Sequence, residues 1–134
     1  MDSALLQAIQ ERLVDGQLPC AQAMIVARRL GLTPSEVGAA ANEAGIRISI
    51  CQLGLFGYGP KAEGKHKVVT PMAVVAQELA RRIRAAATQG GIRCEEIWKI
   101  AADLHIGRMQ ASAAVEALGL RVSHCQLGCF PRPK

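Results

Sequence analysis

Five cysteines are the residues of this 134-residue chain best suited to chemistry, and four of them occupy matching positions. Cys20 and Cys94 are 74 residues apart, as are Cys51 and Cys125, and Cys129 places another thiol four positions after Cys125. Four thiolates gathered on one axis would suit zinc or an iron–sulfur cluster. The chain has no C-x2-C pair, however, and free cysteine is commonly buried as a small apolar residue. The spacing favours cysteines in a core, with metal binding or redox sensing as the alternative hypothesis.

Basic side chains form the second set of candidate residues, and they concentrate in the middle of the chain. Residues 61–93 carry seven basic and two acidic side chains, against four and five in residues 1–60 and five and four in residues 94–134. The formal net charge of +5 and the pI near 9.2 permit contact with nucleic acid or another anionic surface. Lysines in a loop can contact phosphate whatever the base sequence. The loop residues concerned are Lys61, Lys65, His66 and Lys67.

Several classes of protein are disfavoured by what the sequence lacks. It contains no Gly-x-Ser-x-Gly, no P-loop and no dinucleotide-binding fingerprint, and its acidic residues are scattered. No apolar run approaches the roughly 18 to 20 residues that span a bilayer, and the first residues lack the basic region of a secretion signal. We therefore expect a cytoplasmic protein without enzyme activity, cofactor or membrane contact.

An internal repeat defines how these residues are positioned. The segment CQLGLF at residues 51–56 recurs as CQLGCF at residues 125–130, and the same offset of 74 residues relates many other positions. A repeated segment predicts one supersecondary unit per copy. We therefore expect two pseudo-symmetric modules, residues 1–70 and 71–134, packed as one compact unit. The aligned pairs include Gly16 and Gly90, Ala27 and Ala101, Leu30 and Leu104, Gly45 and Gly119, and Arg47 and Arg121.

Hydrophobic periodicity and capping residues predict the elements of the first copy. Apolar residues spaced by three and four indicate helices over residues 3–14 and 20–30, the second ended by Gly31. Thr33, Pro34 and Glu36 form the cap, first position and capping-box partner of a third helix. The alternating residues 46–51 then predict a strand.

The remaining elements complete a mainly α fold with short β-strands. A glycine-rich loop and a short strand at residues 66–70 would form a hairpin with the first strand, and Thr70 would cap a long helix ending near residue 87. The second copy then predicts helices over residues 94–104 and 108–118 and a strand over residues 120–127. We expect the two strands that follow the helix pairs to pair with each other. Leu53 and Phe56 should anchor the CQLG turn to the core.

The two helix pairs match the helix-turn-helix pattern. The crossing point of the helices requires a small residue, the turn favours glycine, and branched apolar residues follow. These positions hold Ala27, Gly31, Leu32 and Val37 in the first copy. The chain here resembles the helix-turn-helix superfamily of prokaryotic transcription regulators, and the strand, glycine-rich loop and strand look like the wing of a winged helix. The stretch ICQLGLFGYGPK also resembles winged regulators of the molybdate-responsive type. The second copy has Ala101, Ile106 and Ala111, but His105 in place of the turn glycine.

This resemblance implies a transcription regulator that binds double-stranded DNA. Residues at the start of each second helix would meet base edges or phosphates. The first copy offers Thr33 and Ser35, but also Glu36 and Glu43, which repel phosphate. The second copy offers Arg108, Gln110 and Ser112.

An alternative interpretation is that these alanine-rich helices only pack. Helix-turn-helix folds also serve as protein-interaction modules. The chain would then bind a protein partner, or form a homodimer, without contacting DNA. Its cysteines would supply a metal or redox sensor.

Overall fold

The computed structural model describes residues 3–59 and 67–130, which are mainly helical. An N-terminal unit contains, in order, α1 (Ser3–Gln10), β1 (Leu18–Pro19), α2 (Cys20–Leu30), α3 (Pro34–Glu43) and β2 (Ile48–Ser49). A C-terminal unit contains α4 (Gln77–Ala86), β3 (Gly91–Arg93), α5 (Cys94–Asp103), α6 (Arg108–Ala117) and β4 (Arg121–His124). The prediction of a mainly α protein with short strands is confirmed.

Local capping chemistry sets the boundary between α2 and α3, as predicted. Gly31 adopts the left-handed conformation at φ 67°, and Leu32 donates its N–H to the Ala27 carbonyl over 2.9 Å. Thr33 then accepts a hydrogen bond on its hydroxyl from the Glu36 N–H at 3.1 Å, and Pro34 occupies the first helical position. Two helices therefore follow each other through a turn of three residues.

Each strand pairs with a strand of its own unit, which corrects the expectation of pairing between the units. β1 and β2 are parallel, with Leu18 opposite Ile48, and β3 and β4 are also parallel, with Ile92 opposite Val122. Each unit thus ties the start of its first paired helix to the strand that follows its second. β1 and β3 were not predicted, because strands of only two and three residues show no periodic pattern.

The predicted hairpin and the long fourth helix are also corrected. Residues 67–70 form no strand, because the N–H groups of Val68 and Val69 both donate to the Gly54 carbonyl instead of lying beside β2. The helix expected from Thr70 begins only at Gln77, since Met72 donates its N–H to the Ala113 carbonyl of α6 at 3.0 Å. Hydrogen bonds to Gly54 and to α6 therefore tie down the segment that precedes α4.

Two hydrophobic cores lie within the described residues, and each receives a leucine from the opposite unit. Leu127, which is 3% exposed, packs with the N-terminal core of Ile9, Leu18, Val26 and Val37. Leu53, which is 1% exposed, packs with the C-terminal core of Ile83, Ile92, Ile97 and Val115. Leu53 and Phe56 were expected to anchor their turn to the core, and both pack on the core of the C-terminal unit. Among the residues described, no helix has the length and apolar character needed to span a membrane.

Candidate functional site

The two CQLG turns lie against each other. In the first, Cys51 donates its N–H to the Phe56 carbonyl and Gly54 donates to the Cys51 carbonyl, at 3.1 and 2.9 Å. In the second, the corresponding bonds from Cys125 to Phe130 and from Gly128 to Cys125 are both 3.0 Å. The Phe56 and Phe130 rings meet edge to face, with centroids 6.2 Å apart. The same turn is therefore built twice, and the two copies touch.

The five cysteines gather around these turns. Burial, with smaller contributions from the charges that Cys51, Cys94 and Cys125 would carry, raises the pKa of Cys20 to about 12. Burial likewise raises the pKa of Cys94 to about 11, with Cys125 and Cys51 adding to the effect. These mutual influences place cysteines from both units in one group. In the described part of the chain, no three or more His, Cys, Asp or Glu side chains are arranged to hold a metal ion.

Cys125 differs from the rest of this group. A hydrogen bond from the Cys129 side chain lowers its pKa to about 6, against burial, and the backbone N–H groups of Cys129, Leu127 and Gly128 assist. The Leu127 N–H lies 3.4 Å from the Cys125 sulfur. The same contact, followed by burial, raises the pKa of Cys129. The contact therefore favours the thiolate on Cys125 and the protonated thiol on Cys129.

The first turn of α3 exposes the residues predicted to meet DNA. Thr33 and Ser35 are both exposed, although the Thr33 hydroxyl already accepts the Glu36 N–H. Glu36 is exposed beside them. This helix end thus offers hydroxyl groups and one carboxylate to a ligand.

The first turn of α6 holds Arg108 in an internal contact. Its guanidinium lies 3.6 Å from the centroid of the Trp98 ring and donates a hydrogen bond to the Gln52 side-chain carbonyl oxygen. Gln110 accepts the Gly107 N–H on its side-chain oxygen at 2.7 Å and remains exposed. Ser112 is 0% exposed. Its hydroxyl is not available at the surface, so the predicted contact between Ser112 and DNA has no support in this geometry.

The basic loop is described only at its end. Lys67 is exposed and forms an ion pair with Glu116 of α6, with 2.6 Å between the side-chain nitrogen and oxygen. The other predicted loop contacts, Lys61, Lys65 and His66, lie outside the described residues. Lys67 is thus brought to α6, with one carboxylate already paired to it.

Arg108 is held by Trp98 and Gln52, two residues that were not predicted to belong to the site. Trp98 also packs against both cores. The sequence does mark both residues: Trp98 is the only tryptophan in the chain and precedes a predicted recognition helix, and Gln52 belongs to the repeated CQLG segment.

Comparison of the chain with protein-family models, curated proteins and solved structures gave no match.

Proposed function

We propose that the chain is a tandem duplication whose two helix pairs form helix-turn-helix units related by a pseudo-two-fold axis. The element order supports this, because α2 and α5 begin at Cys20 and Cys94 and α3 and α6 begin at Pro34 and Arg108, each pair 74 residues apart. The two turns before α2 and α5 also match, with positive φ at Asp15 and Gln89 followed by a glycine. Ala27 and Ala101, at the helix crossings, are 3% and 1% exposed.

We further propose that this scaffold is a small DNA-binding regulator. The observation that supports it best is the exposure of polar residues at the N-terminal turns of both second helices: Thr33 and Ser35 on α3, and Arg108 and Gln110 on α6. A helix-turn-helix protein reads bases with this part of its second helix. The net charge of +5 favours encounter with a polyanion.

Arg108 is compatible with this role while it rests on Trp98. A guanidinium has five N–H donors in its plane, and stacking on an aromatic face consumes none of them. Gln52 accepts from one of its nitrogens. The stack therefore fixes the plane of Arg108 and leaves donors in that plane for a guanine edge or a phosphate.

The loop before residue 67 supplies the phosphate contacts in this proposal, as a wing would. Lys61, Lys65 and His66 are the candidate cations, because Lys67 is already paired with Glu116. Such contacts are independent of base sequence and weaken with salt.

The test is fluorescence anisotropy of a labelled mixed-sequence duplex, titrated with protein over a series of salt concentrations. Replacing Lys61 and Lys65 together by glutamine should weaken binding and reduce the slope of log K against log salt by about 2. The matched control replaces Arg84 and Lys99, both exposed on other helices, by glutamine, removing the same charge. Absence of binding at low salt, or equal losses in the two double variants, would contradict the proposal.

A second candidate function is a non-enzymatic thiol-based sensor on the same scaffold, and the gathering of cysteines from both units favours it. Metal analysis of protein purified without oxygen separates its two versions. Zinc or iron in a fixed ratio to the chain would support a metal sensor, and metal-free protein would support thiol chemistry alone.

A further inference from the structure

The two CQLG turns differ at one position that matters for chemistry. Leu55 in the first turn corresponds to Cys129 in the second. In both turns, N–H groups of the following residues point at the leading cysteine: Leu53, Gly54 and Leu55 at Cys51, and Leu127, Gly128 and Cys129 at Cys125. Only the second turn adds a thiol to this set of donors.

The pKa of the leading cysteine shifts in opposite directions in the two turns. Burial dominates at Cys51 and raises its pKa despite three backbone donors. At Cys125 the thiol of Cys129 is the largest influence, and the pKa falls to about 6. A thiolate at neutral pH is the nucleophilic form of cysteine.

Exposure separates the same pair from the other cysteines. Cys20, Cys51 and Cys94 are each 6% exposed, whereas Cys125 and Cys129 are only half-buried. A small oxidant can therefore reach the pair more readily than the other three thiols.

We propose that Cys125 and Cys129 form a peroxide-reactive dithiol, with Cys125 as the attacking thiolate and Cys129 as the resolving thiol. The proposal rests on the turn that closes between Cys125 and Phe130, which holds the Leu127 N–H 3.4 Å from the Cys125 sulfur, and on the partial exposure of both cysteines. It is independent of DNA binding. The ligand class is a small hydroperoxide.

The reaction balances in two steps. The Cys125 thiolate attacks one oxygen of ROOH, the O–O bond breaks, and RO⁻ leaves and takes up a proton as ROH, so that Cys125 becomes a sulfenic acid. The Cys129 sulfur then attacks the sulfenic sulfur. An S–S bond forms, the S–O bond breaks, and the hydroxide leaves as water with the Cys129 proton. One peroxide is reduced, and two thiols are oxidised to one disulfide.

The chain is well suited to mapping this product. Trypsin places Cys125 and Cys129 together on the peptide of residues 122–134, while Cys20, Cys51 and Cys94 fall on three separate peptides. Treating the full-length, reduced protein with a small excess of hydrogen peroxide should lighten the 122–134 peptide by two hydrogen atoms. Titration of the denatured protein should show three of the five thiols remaining.

Two variants serve as matched controls. Cys129→Leu gives the second turn the leucine that the first turn has at Leu55. This variant should stop the reaction at a sulfenic acid on Cys125, which dimedone captures. Leu55→Cys places a second thiol in the first turn and tests whether that turn becomes reactive when given the same partner. Oxidation that joins the 122–134 peptide to another peptide would overturn the pairing. Oxidation of Cys125 no faster than that of the same thiol in unfolded protein would overturn the activated thiolate.

Discussion

Gly38 of α3 lies directly against the backbone carbonyl of Leu127, so close that a Cβ on residue 38 would sit 1.8 Å from that oxygen. The contact joins a helix of the N-terminal unit to the CQLG turn of the C-terminal unit. Leu53 makes the reciprocal insertion into the C-terminal core. The two units are therefore interlocked through their repeated turns, and glycine at position 38 permits the approach.

Gly38→Ala should destabilise the protein by about 1–3 kcal/mol or more, because the methyl group forces the turn away from α3. Glycine to alanine within a helix otherwise stabilises by about 1 kcal/mol, so any loss reflects the clash. Urea denaturation measures the free energy of unfolding. Ala39→Gly, at the neighbouring exposed position, is the control and should cost about 0.5–1 kcal/mol. An unchanged or higher stability for Gly38→Ala would refute the close contact.

Ser112 corresponds to Gly38 in the C-terminal unit, and its buried hydroxyl has no hydrogen-bond partner among the described residues. Ser112→Ala should therefore stabilise the protein by about 1 kcal/mol, since a buried polar group without a partner carries a desolvation penalty. Thermal or urea unfolding gives the value. Ser35→Ala, at an exposed position, should change the free energy of unfolding by less than about 0.5 kcal/mol. A destabilised Ser112→Ala variant would indicate that the Ser112 hydroxyl forms a hydrogen bond in the folded protein.

His105 takes the left-handed conformation, φ 55°, in the turn where the N-terminal unit has Gly31. His105→Gly should raise the free energy of unfolding by up to about 1 kcal/mol, because relief of about 1–2 kcal/mol of backbone strain exceeds the added entropy of the unfolded chain. Gly31→Ala is the converse test and should destabilise by a similar amount, as the space around Gly31 is open and only its φ opposes a side chain. If both variants shift stability in the same direction, strain is not the controlling factor.

The stack of Arg108 on Trp98 should be visible in fluorescence, since Trp98 is the only tryptophan. Arg108→Ala should change the emission of Trp98 and lower the free energy of unfolding by about 1 kcal/mol, through loss of the cation–π contact. Arg108→Lys keeps the charge but lacks the planar group, so its effect should be intermediate. Emission spectra identical to those of the unaltered protein in both variants would show that the stack does not persist in solution.

Alkylation of Cys125 should follow the thiolate fraction across pH. The Cys129 thiol lowers the pKa of Cys125 to about 6, so the rate of its reaction with iodoacetamide should be half-maximal near pH 6. The rate should reach its plateau well below pH 9. Mass analysis of the 122–134 peptide gives the rate. In Cys129→Leu the midpoint should move upward towards the ordinary value of 9.0. Cys20, with a pKa raised to about 12 by burial, is the internal comparison and should remain largely unmodified at neutral pH. A Cys125 profile that still rises between pH 8 and 9 would contradict the lowered pKa.

The sequence by itself determined the elements whose causes are local. The cap at Thr33, the proline that starts α3 and the left-handed Gly31 lie within four residues of each other, and each acts on backbone groups within a few residues of itself. Periodicity likewise located α2, α5 and α6 to within a residue at each end. The spacing of Cys20, Cys51, Cys94 and Cys125 raised the hypothesis that thiols from both repeats meet.

Only the tertiary structure decided which distant residues touch. The partners of β2 and β4 are short strands about 30 residues earlier in the chain, with too few residues to show a periodic pattern. Exchange of Leu53 and Leu127 between the cores, burial of Ser112 and capture of Arg108 by Trp98 depend on how the two units dock. Docking is governed by packing between residues far apart in sequence, and neither helix periodicity nor capping chemistry carries that information.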